Sequence, residues 1–299
     1  MGGLVTAEEL AGLLGEVTVL DVRYQLGRTD GWEEYLSGHV PGAVYVDLAR
    51  DLSDPPGEPV DDRGRHPLPD PQRFVAAMRA AGVRKGRPVV VYDDWDAMAA
   101  TRAWWLLRDH GHEDVRVLDG GWRWWLHGGH PVETGDTVGT GDGGGAGATD
   151  ETQIGTTAST PGTAPDETGL NLEGGLMPRV DAEGAARVAR DGVLLDARAE
   201  ERFRGEAEPV DPVSGHVPGA VSLPTSRNLE DGLFRDRAAL SEAYAATEDA
   251  GEVAVYCGSG VTATHDLFAL HLLGREGALY PGSWSGWVSN RERPVETGP

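Results

Sequence analysis

The sequence predicts an α/β protein built from two similar tandem domains, each a mostly parallel sheet flanked by helices. Three observations carry that reading. Short β-branched runs alternate with helical patterns through both halves of the 299-residue chain, as they do when parallel strands are joined by crossover helices. The segment Gly38-His39-Val40-Pro41-Gly42-Ala43-Val44 recurs residue for residue as Gly215-His216-Val217-Pro218-Gly219-Ala220-Val221, and self-similarity of that kind marks a duplication. The length suits two domains, each large enough to bury a core of its own.

In the first half, Val17-Thr18-Val19-Leu20 reads as a buried strand running into Asp21-Val22-Arg23, with the first copy of the repeat beyond it. Val89-Val90-Val91-Tyr92 reads as a second strand and Ala99 to Arg108 as a helix that carries Trp104, Trp105 and Leu106 alongside Arg102 and Arg108. The half closes on a Trp-rich stretch, Trp122 to Trp125, and on Pro131-Val132-Glu133-Thr134-Gly135. From Thr134 to about Gly175 the chain is rich in Gly, Thr and Asp, lacks Lys and Arg, and shows no apolar period. Such a stretch reads as an acidic linker, and a domain boundary is the natural place for it. The expected division is therefore 1–133, 134–175 and 176–299.

The second half repeats the order. Val193-Leu194-Leu195 runs into Asp196-Ala197-Arg198, the repeat follows, Val253-Ala254-Val255 is a strand, and Thr262 to Leu273 is a helix. Trp284 to Trp287 and a second Pro-Val-Glu-Thr-Gly, Pro294 to Gly298, close it. Laying the halves over one another sets Val89 to Asp93 against Val253 to Cys257, so the first half carries Asp93 where the second carries the chain's one cysteine.

That cysteine ends an apolar strand and opens Cys257-Gly258-Ser259-Gly260-Val261-Thr262-Ala263, after which the helical pattern begins. A strand that delivers a sulfur into a Gly-rich turn at a helix start surrounds it with N–H donors and the positive helix end, which favour a thiolate. The glycines let successive N–H groups converge, and the hydroxyls of Ser259 and Thr262 can add donors. The competing reading is a buried free cysteine acting as a small hydrophobe. Two glycines and two hydroxyls directly after the sulfur are poor core material.

Acidic residues number 49 against 26 basic ones, for a net charge of −23, and Lys85 is the sole lysine. Such a surface repels nucleic acid and anionic membranes, so neither is an expected partner. Replacement of Lys by Arg with a surplus of Asp and Glu fits a surface adapted to high salt, where screening removes self-repulsion; a coding bias toward arginine would also produce it. One cysteine excludes an intrachain disulfide, and Met1-Gly2-Gly3-Leu4-Val5 does not open an apolar leader, so a cytoplasmic monomer is expected.

The paired Asp-x-Arg, the paired Gly-His-Val-Pro-Gly-Ala, the cysteine with Gly-Ser-Gly-Val-Thr-Ala, and Gly282-Ser283-Trp284-Ser285-Gly286-Trp287 together resemble the rhodanese family in its tandem form. The resemblance implies two rhodanese-like domains, an inactive amino-terminal one and a catalytic one, working without metal or other cofactor. It implies a sulfurtransferase that moves sulfane sulfur from thiosulfate or 3-mercaptopyruvate to cyanide or a thiol through a persulfide on Cys257, in a ping-pong cycle. The alternative within the same chemistry is a non-catalytic persulfide carrier serving a protein partner.

By the same resemblance, Gly258, Ser259, Gly260, Val261 and Thr262 form the substrate loop, and Arg202, of the Arg202-Phe203 pair, binds the anionic donor. Asp196 with Arg198, and Asp21 with Arg23, are expected to be structural pairs, and Arg204 to be surface. The loop Gly-Ser-Gly-Val-Thr is similar to the mercaptopyruvate branch, whereas the thiosulfate branch commonly carries basic residues there. Against this, mercaptopyruvate enzymes usually place a second arginine shortly after Glu-Pro, and here Glu208-Pro209 leads into Val210-Asp211. Arg63 or Arg65, beside His66-Pro67-Leu68-Pro69, could bring a charge from the amino-terminal half. Asp51, with Asp47 beside it, is a candidate for the acid some members place near the active serine; His66 and Trp284 are further possible contributors.

His39 and His216 occur in both halves and read as structural. His110 with His112, and His127 with His130, lack the carboxylate set of a metal site. The family's fold is shared with cysteine phosphatases, which need an arginine in the loop after the cysteine; positions 258 to 263 contain none.

Overall fold

The computed structural model describes residues 3–136 and 168–299. The middle of the expected linker, 137–167, lies outside them. In the amino-terminal half, strands β1 (Leu4–Val5), β2 (Thr18–Asp21), β3 (Val44–Tyr45), β4 (Val89–Tyr92) and β5 (Val115–Leu118) form one parallel sheet in the order β1-β5-β4-β2-β3. In the carboxy-terminal half β6 (Val193–Asp196), β7 (Val221–Ser222), a short antiparallel hairpin of β8 (Leu229–Glu230) and β9 (Leu233–Phe234), β10 (Val253–Tyr256) and β11 (Ala278–Leu279) follow. Four of these make a second parallel sheet, β11-β10-β6-β7. Helices cover both sheets, so each half is an α/β domain around a parallel sheet, as expected. Strands β2, β4 and β10 are buried at every residue, which is why they read as near-continuous apolar runs without alternation.

The repeated strings explain one another. His39 and Glu133 exchange backbone hydrogen bonds, and His216 and Glu296 do the same in the second half. Arg23 Nη2 donates to the Gly38 carbonyl at 2.6 Å and Arg198 Nη2 to that of Gly215 at 2.7 Å, each arginine being ion-paired with the aspartate two residues before it. The hydroxyls of Tyr92 and Tyr256 accept from the N–H of Val40 and Val217, both at 3.1 Å. His39 stacks on Tyr35 and His216 on Phe203, each ring bonding that partner's carbonyl through Nδ1. The duplicated residues are thus scaffold: they pin each Gly-His-Val-Pro-Gly loop to the tail of its own half.

The helix Ala100–Asp109 after β4 packs on the helix Ala263–Leu273 after β10. Thr101 Oγ1 and Thr264 Oγ1 are 3.1 Å apart, and Trp104 meets Phe268 edge-on at 5.0 Å between ring centroids. Helix Ala263–Leu273 is buried along nearly its whole length, because its own sheet covers one side and the amino-terminal half the other. One apolar core consequently runs through both halves. Its effect on function is to set the loops that open both helices, one beginning at Asp93 and one at Cys257, on either side of a shared interface. Among the described residues no helix is long and apolar enough to cross a membrane.

Candidate active site

Cys257 leaves the carboxyl end of β10, the edge where parallel α/β sheets commonly place their ligands, and is 1% exposed. The Gly260 N–H points at its sulfur, with N···Sγ 3.1 Å. The Cys257 N–H donates to Ser283 Oγ at 3.1 Å, and that oxygen lies 3.9 Å from Sγ. Ser283 has φ +51°, a conformation a non-glycine residue holds only when its surroundings enforce it. Here the N–H groups of Trp284 and Ser285 grip the carbonyls of Cys257 and Gly258 at 2.9 and 3.0 Å. The Gly-Ser-Trp-Ser-Gly-Trp motif is therefore a brace under the cysteine loop.

The amino-terminal half closes the other side. Its segment around Asp62 to Arg65 lies backbone to backbone against Gly282 and Gly286: a Cβ on either would stand 2.3 or 2.5 Å from the Asp62 carbonyl oxygen, which is why both positions are glycine. The Arg65 N–H donates to Ser285 Oγ at 3.1 Å. This seating brings His66 onto the loop, with Nδ1 2.8 Å from Ser259 Oγ and Nε2 3.1 Å from the hydroxyl of Tyr24. Burial, reinforced by Arg102 and Arg65, pushes the His66 pKa down to about 4, so the imidazole is neutral at ordinary pH.

Arg102 is fully buried, and among the described residues it has no carboxylate within salt-bridge distance. Its guanidinium donates instead to carbonyls: Gly260 at 3.0 Å, His66 at 3.2 Å, and Leu52 and Pro67 at 3.3 Å. Burial lowers its pKa to about 10, which leaves it charged at neutral pH. One side chain of the amino-terminal half thus ties that half's own loops to the loop that carries the cysteine.

Two more arginines stand over Gly258. Arg202 forks onto Glu208 at 2.6 and 3.1 Å and reaches Asp211 at 3.4 Å. Arg65 pairs with the other oxygen of Asp211 across the domain interface. A Cβ on Gly258 would lie 3.2 Å from Arg65 Nη2 and 3.5 Å from Arg202 Nη1. Burial raises the Asp211 pKa, opposed by Arg65.

The structure therefore brings together Cys257, Gly258, Ser259, Gly260, Arg202 and His66. Trp284 is fully buried; its Nε1–H donates to the Val213 carbonyl and its ring lies under the buried Arg198, 4.6 Å from the guanidinium carbon. Val261 packs in the shared core, and Thr262 makes no side-chain capping bond at the start of its helix. Asp51 is not brought to the serine. Its carboxylate is taken by Arg50 and by the Asp47 N–H, while the outer nitrogen of His66 goes to a tyrosine. Arg204 is exposed and pairs with Glu200. Sequence reasoning did not assign Arg102, Tyr24 or Asp211 to the site; only the departure at Val210-Asp211 hinted at the last.

The counterpart loop is sealed. The Asp93 carboxylate accepts from the N–H of Trp95 and Ala97 at 2.9 Å and of Ala99 and Ala100 at 2.8 Å. Burial still raises its pKa to about 6. The N–H groups that could cradle a sulfur anion are spent on this side chain.

Comparison with known proteins agrees with the geometry. The rhodanese-like domain family matches residues 6–127 and 181–290. The chain is 41% identical over 301 residues to the Mycobacterium tuberculosis protein named "Putative thiosulfate sulfurtransferase SseB", covering 99% of this chain and 97% of that one. It is also 41% identical over 307 residues to the Pseudomonas aeruginosa "Probable 3-mercaptopyruvate sulfurtransferase", with 99% and 98% covered. The crystal structure of SseA from Escherichia coli, a 3-mercaptopyruvate sulfurtransferase, superposes with a TM-score of 0.72 at 29% identity, over 95% of this chain and 100% of that one. This chain belongs to the rhodanese-like domain family, as a tandem-domain sulfurtransferase of the thiosulfate/3-mercaptopyruvate group.

Proposed function

We propose that the chain uses 3-mercaptopyruvate as its preferred sulfur donor, with Cys257 as the persulfide-forming nucleophile. The charge balance around Gly258 carries this reading. Arg65 and Arg202 are both matched by carboxylates, Glu208 and Asp211, and the loop from Gly258 to Ala263 adds no cation. Such a site tolerates a monoanion better than the dianion thiosulfate.

The pair of Ser259 and His66 supports the same donor. When the Cys257 thiolate bonds to the donor sulfur, the C–S bond breaks and its electron pair stays on carbon as the enolate of pyruvate. That carbon then takes up a proton, and the thiol proton of the donor is released. A hydroxyl held 2.8 Å from a neutral imidazole can hand one proton over and recover the other. Thiosulfate cleavage leaves sulfite and needs no such transfer. In the second half-reaction cyanide or a thiolate attacks the outer sulfur and restores the Cys257 thiolate. The acidic surface and the absence of a second cysteine support a cytoplasmic monomer acting on small molecules.

The test is a side-by-side measurement of kcat/KM with the two donors. At least a tenfold preference for 3-mercaptopyruvate is expected; equal values or a preference for thiosulfate would overturn the donor assignment. Cys257→Ala should leave no transfer from either donor with the fold intact, and turnover in that variant would remove the persulfide mechanism.

A further inference from the structure

We infer that Arg65, carried by the catalytically silent amino-terminal half, binds the anionic end of the sulfur donor together with Arg202, and that Asp211 is the clasp that positions it. The inference deepens the donor reading and rests on it for the identity of the anion.

Two guanidinium groups from different domains meet over one glycine. Arg202 spends Nε and Nη2 on Glu208 and Asp211, and its Nη1 makes no hydrogen bond among the described residues. Arg65 spends Nη1 on Asp211, while its Nε is buried without a partner. The free Nη1 of Arg202 and the Nη2 of Arg65 are the atoms that a Cβ on Gly258 would meet. The carboxylates thus occupy the outer edges of both forks, leaving open N–H groups above the residue that follows the nucleophile. A planar carboxylate can bridge two such edges, one hydrogen bond to each.

Gly258 has an ordinary backbone conformation and is absent from the positive-φ positions. A side chain there would crowd the guanidinium of Arg65 and touch that of Arg202. In this chain the space beside residue 258 belongs to Arg65, so the cation comes from across the interface. The position after Glu208-Pro209 is Val210, and Asp211 just beyond it holds Arg65 in place. Asp211 is a positioning residue, with its backbone N–H and that of Val210 both tied to Glu208 at 3.1 Å.

The experiment is single-turnover loading of Cys257, followed by unloading to cyanide, in Arg65→Ala, Arg65→Gln, Asp211→Asn and the control Arg63→Ala. Arg63 is an exposed neighbour paired with Asp61. Both donors are used, and the comparison is read with whichever loads the unaltered protein faster, so that a wrong donor identity does not decide it. Loss of a charge-assisted contact predicts about a tenfold or larger fall in second-order loading for Arg65→Ala. It also predicts a raised KM, a smaller change in kcat, and unchanged unloading. Arg65→Gln, which keeps a donor toward Asp211, should fold and still load slowly; Asp211→Asn should fall between; Arg63→Ala should match the unaltered protein. Unaltered loading in Arg65→Gln and Arg65→Ala would overturn the inference. So would equal losses in loading and unloading, which mark a structural role.

Discussion

Arg102 Nη1 lies 3.0 Å from the carbonyl oxygen of Gly260, the residue whose N–H points at the Cys257 sulfur. Gly260 has φ +80°, and a Cβ there would stand 2.4 Å from the Pro281 carbonyl oxygen, so Arg102 fixes a backbone that no other residue type could adopt. The guanidinium sets the direction of the donor to the nucleophile without touching the sulfur. Substitution Arg102→Met would keep the bulk and leave the carbonyls of Gly260, Leu52, His66 and Pro67 without their buried donor. We predict a loss of about 3–5 kcal/mol in denaturant unfolding, with slower loading at temperatures where the variant is folded. Arg102→Lys should recover a minor part, because an ammonium cannot reach carbonyls spread around a planar fork. Wild-type stability in Arg102→Met would show that these bonds are dispensable.

Arg202 and Arg204 stand two residues apart and differ in surroundings. The side chain of Arg202 is 19% exposed and forks onto a buried glutamate, whereas Arg204 is 41% exposed and pairs with a glutamate one turn away. We predict that Arg202→Ala lowers second-order loading about tenfold or more, through a contact worth roughly 1.5–3 kcal/mol. Arg204→Ala should change it less than twofold, since exposed pairs contribute little. Unloading to cyanide begins after the rest of the donor has left and should be similar in both. Rapid-mixing measurements at matched salt check this, and equal effects from the two substitutions would move the donor anion elsewhere.

The sequence carried the duplicated fold and the turn that holds Cys257 against the Gly260 N–H because both rest on contiguous strings. The repeat and the Pro-Val-Glu-Thr-Gly tails pair inside each half, and the cysteine loop is local. Strand β2 runs Thr18–Asp21 where Val17 to Leu20 was expected, a one-residue offset that hydrophobicity alone does not resolve. What the sequence did not carry is the side of the site made by the other domain. Beyond Arg65 and His66, which the sequence already offered as contributors, Tyr24 and Arg102 lie far from Cys257 along the chain, and nothing local distinguishes Arg102 from Arg108 on the same helix. Only the packing of helix Ala100–Asp109 on Ala263–Leu273 makes one of them a buried ligand of Gly260 and leaves the other toward Glu113. The carboxylate of Asp51 is instead held locally, by the adjacent Arg50 and the Asp47 N–H.

Asp93 stands in the amino-terminal half where Cys257 stands in the other. Its carboxylate takes four backbone N–H groups, so Asp93→Cys would put a thiol where those donors converge. The next residue, however, is Asp94, a carboxylate whose pKa burial raises, with Glu34 adding to the effect. The arginines nearest that carboxylate, Arg23 and Arg28, are already paired, Arg23 with Asp21 and Arg28 with Asp30 and Glu34. We predict that Asp93→Cys acquires no second persulfide and that sulfur bound after donor treatment stays at one per chain. Mass measurement of the loaded protein decides this, and two sulfurs per chain would show that N–H donors alone suffice for loading.

His66 links the stability of the fold to pH. Burial holds its pKa at about 4, below its ordinary value of 6.5, so between those two values the unfolded chain binds a proton that the folded chain does not. Its contribution is therefore complete above pH 6.5 and is lost as the pH falls toward 4. At roughly 1.4 kcal/mol for each pH unit, the loss amounts to about 3 kcal/mol. His66→Gln keeps a hydrogen-bonding side chain without the titration. The stability difference between the unaltered protein and this variant should therefore shift against the unaltered protein by about that amount from pH 7 to pH 4. Over pH 7 to 8 the difference should be constant, and loading from 3-mercaptopyruvate should show no inflection from the imidazole between pH 5 and 8. Urea unfolding of both proteins across this range makes the comparison, and a difference independent of pH would mean that the ring titrates in the folded protein as it does in the unfolded chain, so that burial does not hold it neutral.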